Sequence, residues 1–263
     1  MLEAAKKAGV RLMVGYMKRY DPAYERLRED LPKIPDLRFV RVTTLESPLR
    51  PYVAHYPLVA AGDVNHDLLR GLQDDDERRV NVAVGSAPPE LRHIYRWVLL
   101  DSLVHELNIL RGLLGEPDSI EFSHLWSEGL MLALRWGSLR CSLSWVDLPG
   151  IARYQQEFAF YAPDHRLSLQ FPSPFLRSMP TQLVTEGGVS GTSSSWRSSE
   201  VVSYDEAFKR ELIELYECIT QDREPHTDGL DGLRDVILCG AIVDAAHTGR
   251  PVAQPSSPRL AEA

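Results

Sequence analysis

Apolar side chains recur along the chain at two spacings, one typical of helices and one typical of strands. The longest helical pattern covers residues 88–114, where Val104 and Leu107 belong to an apolar series at mostly three- and four-residue spacing. Gly115 and Pro117 end it, because glycine favours the turn after a helix and proline cannot continue one. The sequence therefore predicts one long helix near the middle of the chain.

The first residues predict a helix, a strand and a second helix. Residues 2–8 are helical in pattern and stop at Gly9. Residues 10–16 form a nearly continuous apolar run, which predicts a parallel strand buried on both faces. Asp21 as N-cap and Pro22 at the first helical position then begin the next helix.

Two closing helices are predicted near the end of the chain. Ser203 and Glu206 have the spacing of a capping box for a helix that continues through Thr220. A final helix over residues 228–248 is closed by Gly249. The remaining residues are expected to fray.

Strand-like segments fill most of the chain after the long helix, and one half-buried strand is predicted before it over residues 37–46. The later segments are residues 119–126, 130–136, 139–146, 157–162, 167–171, 182–186 and 200–203. Glycine and proline mark the breaks between them. Because these connections are short, consecutive strands are expected to pair in antiparallel fashion.

Residues 47–86 have a poor pattern. They include the acidic run 74–77, which Arg78 and Arg79 balance in charge. Charge runs are usually solvated, so this run is predicted to be a surface loop. Taken together, the elements predict an α+β fold: an open, mainly antiparallel sheet with helices on one face.

Composition narrows the class of protein. The 263 residues are 44% hydrophobic and 25% charged, which is ordinary for a globular chain. There are 29 Lys and Arg residues against 37 Asp and Glu, giving a net charge of −8, so a nucleic-acid partner is disfavoured. The three cysteines show no paired spacing and no apolar run reaches the roughly 18 residues of a membrane span. We therefore expect a cytoplasmic protein without a membrane or nucleic-acid partner.

The most informative polar residues lie inside the long helix. Asp101, His105 and Asn108 are spaced by four and three residues, which places them on one helical face. A carboxylate one turn before a histidine can orient the ring and raise its basicity, as an acid/base catalyst requires. The alternative is a hydrogen-bonded helix pair without chemistry.

Other polar residues give weaker indications. Arg19 and Tyr20 follow a predicted parallel strand, where ligands bind in open α/β sheets, although a surface loop fits equally well. A third group matches no metal motif, so a solvated loop is favoured and no metal is predicted; it consists of His55, Asp63, His66 and Asp67. The glycines of residues 187–191 indicate a turn, and the serines of residues 193–195 lack a nucleophile elbow.

Several of these segments together resemble the Gfo/Idh/MocA oxidoreductases. The segments are residues 4–16 (AAKKAGVRLMVGY), 19–22 (RYDP), 99–107 (LLDSLVHEL), 114–117 (LGEP), 208–212 (FKREL) and 249–252 (GRPV). In this resemblance residues 4–22 match the junction between the two domains of the family, and residues 99–107 match its D-x-x-x-H helix. The similarity covers most of the chain and is weakest over residues 47–88.

The resemblance implies an NAD- or NADP-dependent dehydrogenase of sugars, polyols or related hydroxy compounds. It implies that residues 1–20 are the last helix turns and strand of a Rossmann-type dinucleotide-binding domain, that residues 21–252 bind substrate and form oligomers, and that residues 253–263 are a tail. By the same resemblance, His105 would be the acid/base and Asp101 would position it or the substrate. Arg19, Tyr20 and Asn108 would bind substrate, and Tyr16 and Arg19 would lie near the nicotinamide. A homo-oligomer through the open sheet face is expected.

The chain departs from the family pattern in its cofactor site. It has no GxGxxG turn, no acidic ribose-binding residue after such a turn, and no Glu-Lys-Pro segment. Hydride transfer by this chain alone is therefore not expected. Two alternatives stay open: a binding or oligomerisation module without redox chemistry, and a cofactor-free lyase or isomerase that uses His105 as its base.

Overall fold

The structure is a computed structural model that describes residues 1–57, 59 and 61–253. Within them, the strands are β1 (Phe39–Glu46), β2 (Ser119–Trp126), β3 (Gly129–Trp136), β4 (Leu139–Asp147), β5 (Gln155–Tyr161), β6 (His165–Phe171), β7 (Gln182–Gly188), β8 (Ser195–Val201) and β9 (Val252–Ala253). They form one open sheet in the order β8-β7-β6-β5-β1-β4-β3-β2-β9. Every neighbouring pair is antiparallel except β1 with β4. The predicted α+β fold with a mainly antiparallel sheet is confirmed.

The helices precede, follow and interrupt the strand series. They are α1 (Leu2–Ala8), α2 (Pro22–Asp30), α3 (Arg50–Val53), α4 (His66–Val84), α5 (Pro89–Ile94), α6 (Val104–Leu114), α7 (Ala207–Thr220) and α8 (Gly229–Thr248). A π-helical segment, Tyr95–Leu103, joins α5 to α6. The predicted long helix is therefore confirmed, but its central part is π-helical rather than α-helical. None of the described helices is long and apolar enough to cross a bilayer.

Helices cover one face of the sheet, and the core lies between the two layers. Strand residues alternate between this face and the opposite one, so that Val40, Val42 and Phe158 are fully buried whereas Arg41 is exposed. Helix α8 packs across β2 and against α6. This arrangement places α6 over the centre of the sheet, where Leu107 is fully buried.

Several predicted helix ends are confirmed in detail. The Asp21 carboxylate accepts hydrogen bonds from the backbone N–H groups of Ala23 at 2.8 Å and Tyr24 at 3.4 Å, which caps α2. Gly249 ends α8 with a φ of 63°, in the left-handed region that glycine adopts most readily.

The predicted strand over residues 10–16 is wrong. Only Met13 pairs, through an isolated bridge to Asp228, and the Val14 N–H donates to the Thr227 carbonyl at 2.8 Å. A strand needs a ladder of partners, and here the segment has a loop and the start of α8 beside it. Its apolar side chains pack against that helix, where Val14 and Leu12 meet glycine positions.

The surface loop predicted at the acidic run 74–77 is also wrong, because the run lies within α4. Asn65 caps the helix by accepting from two backbone N–H groups, at 2.9 and 3.1 Å. The acidic run lies on the solvated side of the helix and forms ion pairs there, including one between Arg79 and Asp75 at 2.6 Å. Val80 and Val84 are buried on the other side of the helix. Because a run of charged residues directly precedes these two valines in the sequence, no apolar helical pattern is evident there.

Three smaller predictions near the end of the chain are corrected. Ser203 does not cap α7, since its hydroxyl accepts from the Asp205 N–H at 3.0 Å, and no side chain caps that helix. The strand predicted over residues 200–203 lies earlier, as β8. Ala253 pairs with Ser119 rather than fraying, and residues 254–263 of the predicted tail lie outside the described residues.

Candidate active site

A buried polar group lies between the sheet and the first turn of α6. The Glu106 side chain is almost fully buried, and its Oε1 accepts hydrogen bonds from Thr44 Oγ1 and Gln156 Nε2, both at 2.6 Å. Thr44 and Gln156 face each other across β1 and β5 on the inner face of the sheet. We call Lys18, Thr44, Glu106, Tyr154 and Gln156 the lysine cluster.

Lys18 supplies the positive charge of this cluster. It lies in the 3₁₀ turn Met17–Tyr20, is buried, and donates to Gln156 Oε1 at 2.6 Å and to the Tyr154 hydroxyl at 3.4 Å. Burial lowers the pKa of Lys18, while the charge of Glu106 opposes that shift. An ammonium group has three donors, so one has no protein partner among the described residues.

His105 lies next to the lysine cluster and has an unsatisfied nitrogen. Its ring packs edge-to-face against Tyr16, with ring centroids 5.8 Å apart, and its buried Nδ1 has no hydrogen-bond partner. Burial, and then the charge of Lys18, lower the pKa of His105 to about 4. The imidazole is therefore neutral at pH 7, which is the form that can accept a proton.

Asp101 does not orient that ring. It is exposed, and among the described residues no hydrogen bond joins it to His105. The reason is the π-helical segment Tyr95–Leu103, because a wider helix shifts residues four apart out of register. Such segments often occur at functional sites. The predicted carboxylate–imidazole pair is therefore corrected to two separate groups.

Asn108 belongs to a second buried group on the opposite side of α6, which we call the arginine cluster. Its members are Arg19, Asn108, Arg111, Glu116, Asp231 and Asp235. Asn108 Nδ2 donates to Asp231 at 2.8 Å and to Asp235 at 2.7 Å, and its Oδ1 accepts from Arg19 at 3.2 Å. With no exposed surface and its amide engaged, Asn108 joins α6, α8 and the 3₁₀ turn.

Both cations of the arginine cluster are paired with carboxylates inside it. Arg111 lies 2.6 Å from both Glu116 and Asp235 and 3.0 Å from Asp231. Arg19 lies 3.7 Å from Asp231. Burial raises the pKa of Asp235 to about 6 against the lowering effect of Arg111.

The remaining predicted ligand-binding residues face the protein interior. Tyr20 is buried, and its hydroxyl lies 2.8 Å from Thr227 Oγ1. Tyr16 is buried against His105, and the Arg19 guanidinium is held by Asn108 and Asp231. The structure thus brings Tyr16 to His105, and Tyr16 also lies close enough to Asp235 of the arginine cluster that burial and then that carboxylate raise the pKa of its hydroxyl. Contacts of these residues with substrate or cofactor stay predictions.

A cavity of about 440 Å³ opens beside the lysine cluster. Lys18 and Phe171 are part of its wall, and the Lys18 ammonium lies 5.6 Å from the centre of the Phe171 ring. Small-molecule sites have volumes of roughly 300–1,000 Å³. No group of three potential metal-ligating side chains occurs among the described residues.

Sequence reasoning missed the lysine cluster because its members are up to 138 positions apart in the chain. One signal was present: Glu106 is a carboxylate directly between the apolar positions Val104 and Leu107 of the long helix. A charged residue on a helix face that is buried requires polar partners from another element. Those partners, Thr44 and Gln156, could not be identified without the strand register.

Solved structures of oxidoreductases share this fold. Levoglucosan dehydrogenase in complex with NADH matches with a TM-score of 0.65 and 12% identity, over 94% of this chain and 67% of that one. Aldose-aldose oxidoreductase from Caulobacter crescentus, complexed with glycerol, matches with a TM-score of 0.63 and 18% identity, over 96% and 66%. An oxidoreductase from Agrobacterium radiobacter in complex with NAD⁺, L-tartaric acid and magnesium matches with a TM-score of 0.62 and 13% identity, over 96% and 67%.

These matches define the class of fold. The chain spans about two thirds of the length of these oxidoreductases. It has the fold of the carboxy-terminal domain of Gfo/Idh/MocA-type enzymes, as the sequence resemblance implied. No protein-family model matches the sequence, and no curated protein matches it.

Proposed function

We propose that this chain is the substrate-binding and oligomerisation domain of an NAD(P)-dependent oxidoreductase. Its substrate would be a sugar, a polyol or a related hydroxy compound, and it would act in the cytoplasm. His105 is the acid/base of the proposed reaction. The observation that carries the proposal is a neutral imidazole with an unsatisfied nitrogen near Lys18, a residue that lines the cavity, in a fold shared with sugar dehydrogenases.

In the proposed reaction, His105 exchanges a proton with the substrate hydroxyl. A pKa of about 4 keeps the ring unprotonated at neutral pH, so it can accept the proton as a carbonyl forms. The positive charge of Lys18 stabilises negative charge that develops on the substrate oxygen. Asp101 is exposed on the π-helical segment that precedes α6, and it acts on the substrate directly rather than through the His105 ring.

The residues described here do not by themselves fit a nicotinamide cofactor. Tyr16 is buried and the Arg19 guanidinium is engaged within the protein, so neither is free to hold the cofactor. Among the described residues, no glycine-rich strand–turn–helix offers backbone N–H groups to a pyrophosphate. The cofactor would therefore be bound by other protein segments, and the proton transfer described above does not depend on its placement.

The proposed domain division assigns residues 1–20 to a dinucleotide-binding domain and residues 21–252 to the substrate domain. In support, residues 10–16 do not enter the sheet, and Leu12 and Val14 contact the glycines of α8. The alternative function, a binding module without redox chemistry, is favoured by the poor fit to the cofactor. A cofactor-free lyase or isomerase would use His105 in the same way.

The open face of the sheet is the proposed oligomer interface. It exposes apolar side chains on β2 and β3, such as Phe122 and Met131, both about half exposed. We expect Phe122→Glu to convert a homo-oligomer at micromolar concentration to a monomer in sedimentation. A wild-type chain that is already monomeric would contradict this assignment.

The acid/base role is tested by turnover in the longest in-frame form of the protein. His105→Ala should lower NAD(P)-dependent oxidation of sugars and polyols by about 10²–10⁴-fold. Retention of NADH binding and of the far-UV circular dichroism spectrum would show that the fold persists. His247→Ala, at an exposed position of α8, is the matched control. Equal activity of the His105 variant and wild type would remove His105 from the mechanism, and a protein that binds no NADH would favour the module without redox chemistry.

A further inference from the structure

The cavity beside the lysine cluster has mainly apolar walls. The large apolar side chains that form it are Val53, Phe171, Phe175, Leu176, Met179 and Phe208. Phe175, Met179 and Phe208 are each about half exposed, so apolar surface is concentrated at this opening. A bare polyol would lose hydrogen bonds to water against such walls, whereas an apolar ring or branched chain would gain from burial.

Two cations in the wall form no ion pair among the described residues, although the charge of Glu106 acts on Lys18 through space. Lys18 donates only to the neutral oxygens of Gln156 and Tyr154. The Arg177 guanidinium lies 5.5 Å from the centre of the Tyr56 ring, and no ion pair involves it among the described residues.

The carboxylates of the wall are already engaged. Asp21 accepts from Thr181 Oγ1 at 2.6 Å and caps α2. Asp205 forms an ion pair with Lys209 at 2.7 Å, and Glu206 accepts from the Ser178 N–H at 2.6 Å. Apart from the hydroxyl groups of Tyr56 and Ser173, the hydrogen-bond donors left over in the cavity wall therefore belong to cations, and these cations match an anionic group on a ligand.

We propose that the cavity binds a hydroxy or keto carboxylic acid with an apolar body, whose carboxylate is bound by Lys18 and Arg177. This inference rests on the proposed function and narrows its substrate class from hydroxy compounds in general. The apolar walls hold the body of the acid, and the two cations select its charge.

Isothermal titration of the full chain, without cofactor, tests the proposal with four probes. 3-Phenyllactate has both an apolar ring and a carboxylate, 3-phenylpropane-1,2-diol lacks the carboxylate, lactate lacks the ring, and myo-inositol lacks both. We expect 3-phenyllactate to bind at least about tenfold more tightly than each of the others, since each lacks a major contact. Equal or tighter binding of myo-inositol or the diol, or no binding of 3-phenyllactate, would overturn the proposal.

Two variants assign the binding to these cations. Arg177→Gln, on an exposed loop, and Lys18→Met should each weaken 3-phenyllactate binding by about tenfold, the loss of one charge-assisted hydrogen bond. Lys33→Met, at an exposed lysine paired with Asp30, is the control and should bind as wild type does. Unchanged binding in Arg177→Gln would overturn the proposed carboxylate contact even if Lys18→Met failed to fold. Because this binding needs no cofactor, it is independent of whether the protein turns over.

Discussion

The two polar clusters on either side of α6 are both buried, yet they differ in how completely their charges are paired. In the arginine cluster, Arg111 contacts three carboxylates within 3.0 Å. In the lysine cluster, no ion pair involves Lys18 or Glu106 among the described residues. Each cluster keeps a buried atom without a hydrogen-bond partner, Glu106 Oε2 in one and Arg19 Nε in the other. Paired buried charges hold elements together, whereas unsatisfied ones carry a cost in stability that functional sites commonly bear. The comparison indicates that the arginine cluster is structural, whereas the lysine cluster and His105 form the candidate site of the chemistry.

The largest effect is expected in the arginine cluster. Arg111→Met leaves Asp235 buried without its ion-pair partner, so the free energy of unfolding should fall by about 3–5 kcal/mol. Urea denaturation measures this change. The control is Arg135→Met, which removes more exposed ion pairs with Asp118 and Glu121 and should cost less than about 1 kcal/mol. Equal effects of the two substitutions would contradict a structural role for the cluster.

A smaller loss is expected in the lysine cluster. Thr44→Val keeps the side-chain shape but removes the hydroxyl that donates to Glu106, and it should lower the free energy of unfolding by about 2 kcal/mol. Thr43→Val, at the neighbouring position on the opposite face of β1, is the matched control and should change it by less than about 0.5 kcal/mol. If Thr44→Val cost as much as Arg111→Met, the distinction between the clusters would fail.

Local signals predicted much of the fold. Asp21 and Gly249 mark helix ends by their own backbone and side-chain chemistry, so the sequence located those ends directly. Residues 10–16 show the limit, because their apolar run has the composition of a buried strand but whether it pairs depends on what lies beside it. Helix α4 was not predicted, because its two buried valines directly follow a run of charged residues. An apolar pattern with helical spacing is therefore not evident in that segment.

The candidate site could be predicted only in part. His105 stands out in the helix pattern, but the spacing from Asp101 assumed a regular α-helix, and the π-helical segment changes it. Lys18, Thr44 and Gln156 come from different elements and meet only through the register of β1 with β5. That register depends on long-range pairing, which a single sequence does not specify.

The central claim is that His105 is a desolvated, neutral imidazole near Lys18. Its pKa of about 4 lies below the ordinary value of 6.5, so between these pH values the unfolded chain binds a proton that the folded chain does not. The stability this group contributes is therefore complete above about pH 6.5 and is lost as the pH falls towards about 4.

The pH titration of the His105 ring by NMR tests this claim most directly, with the resonance assigned from a His105→Phe variant. We predict that His105 stays neutral from pH 8 down to about pH 5, because burial lowers its pKa to about 4. A His105 ring that titrates near the ordinary histidine value of about 6.5 would contradict the account.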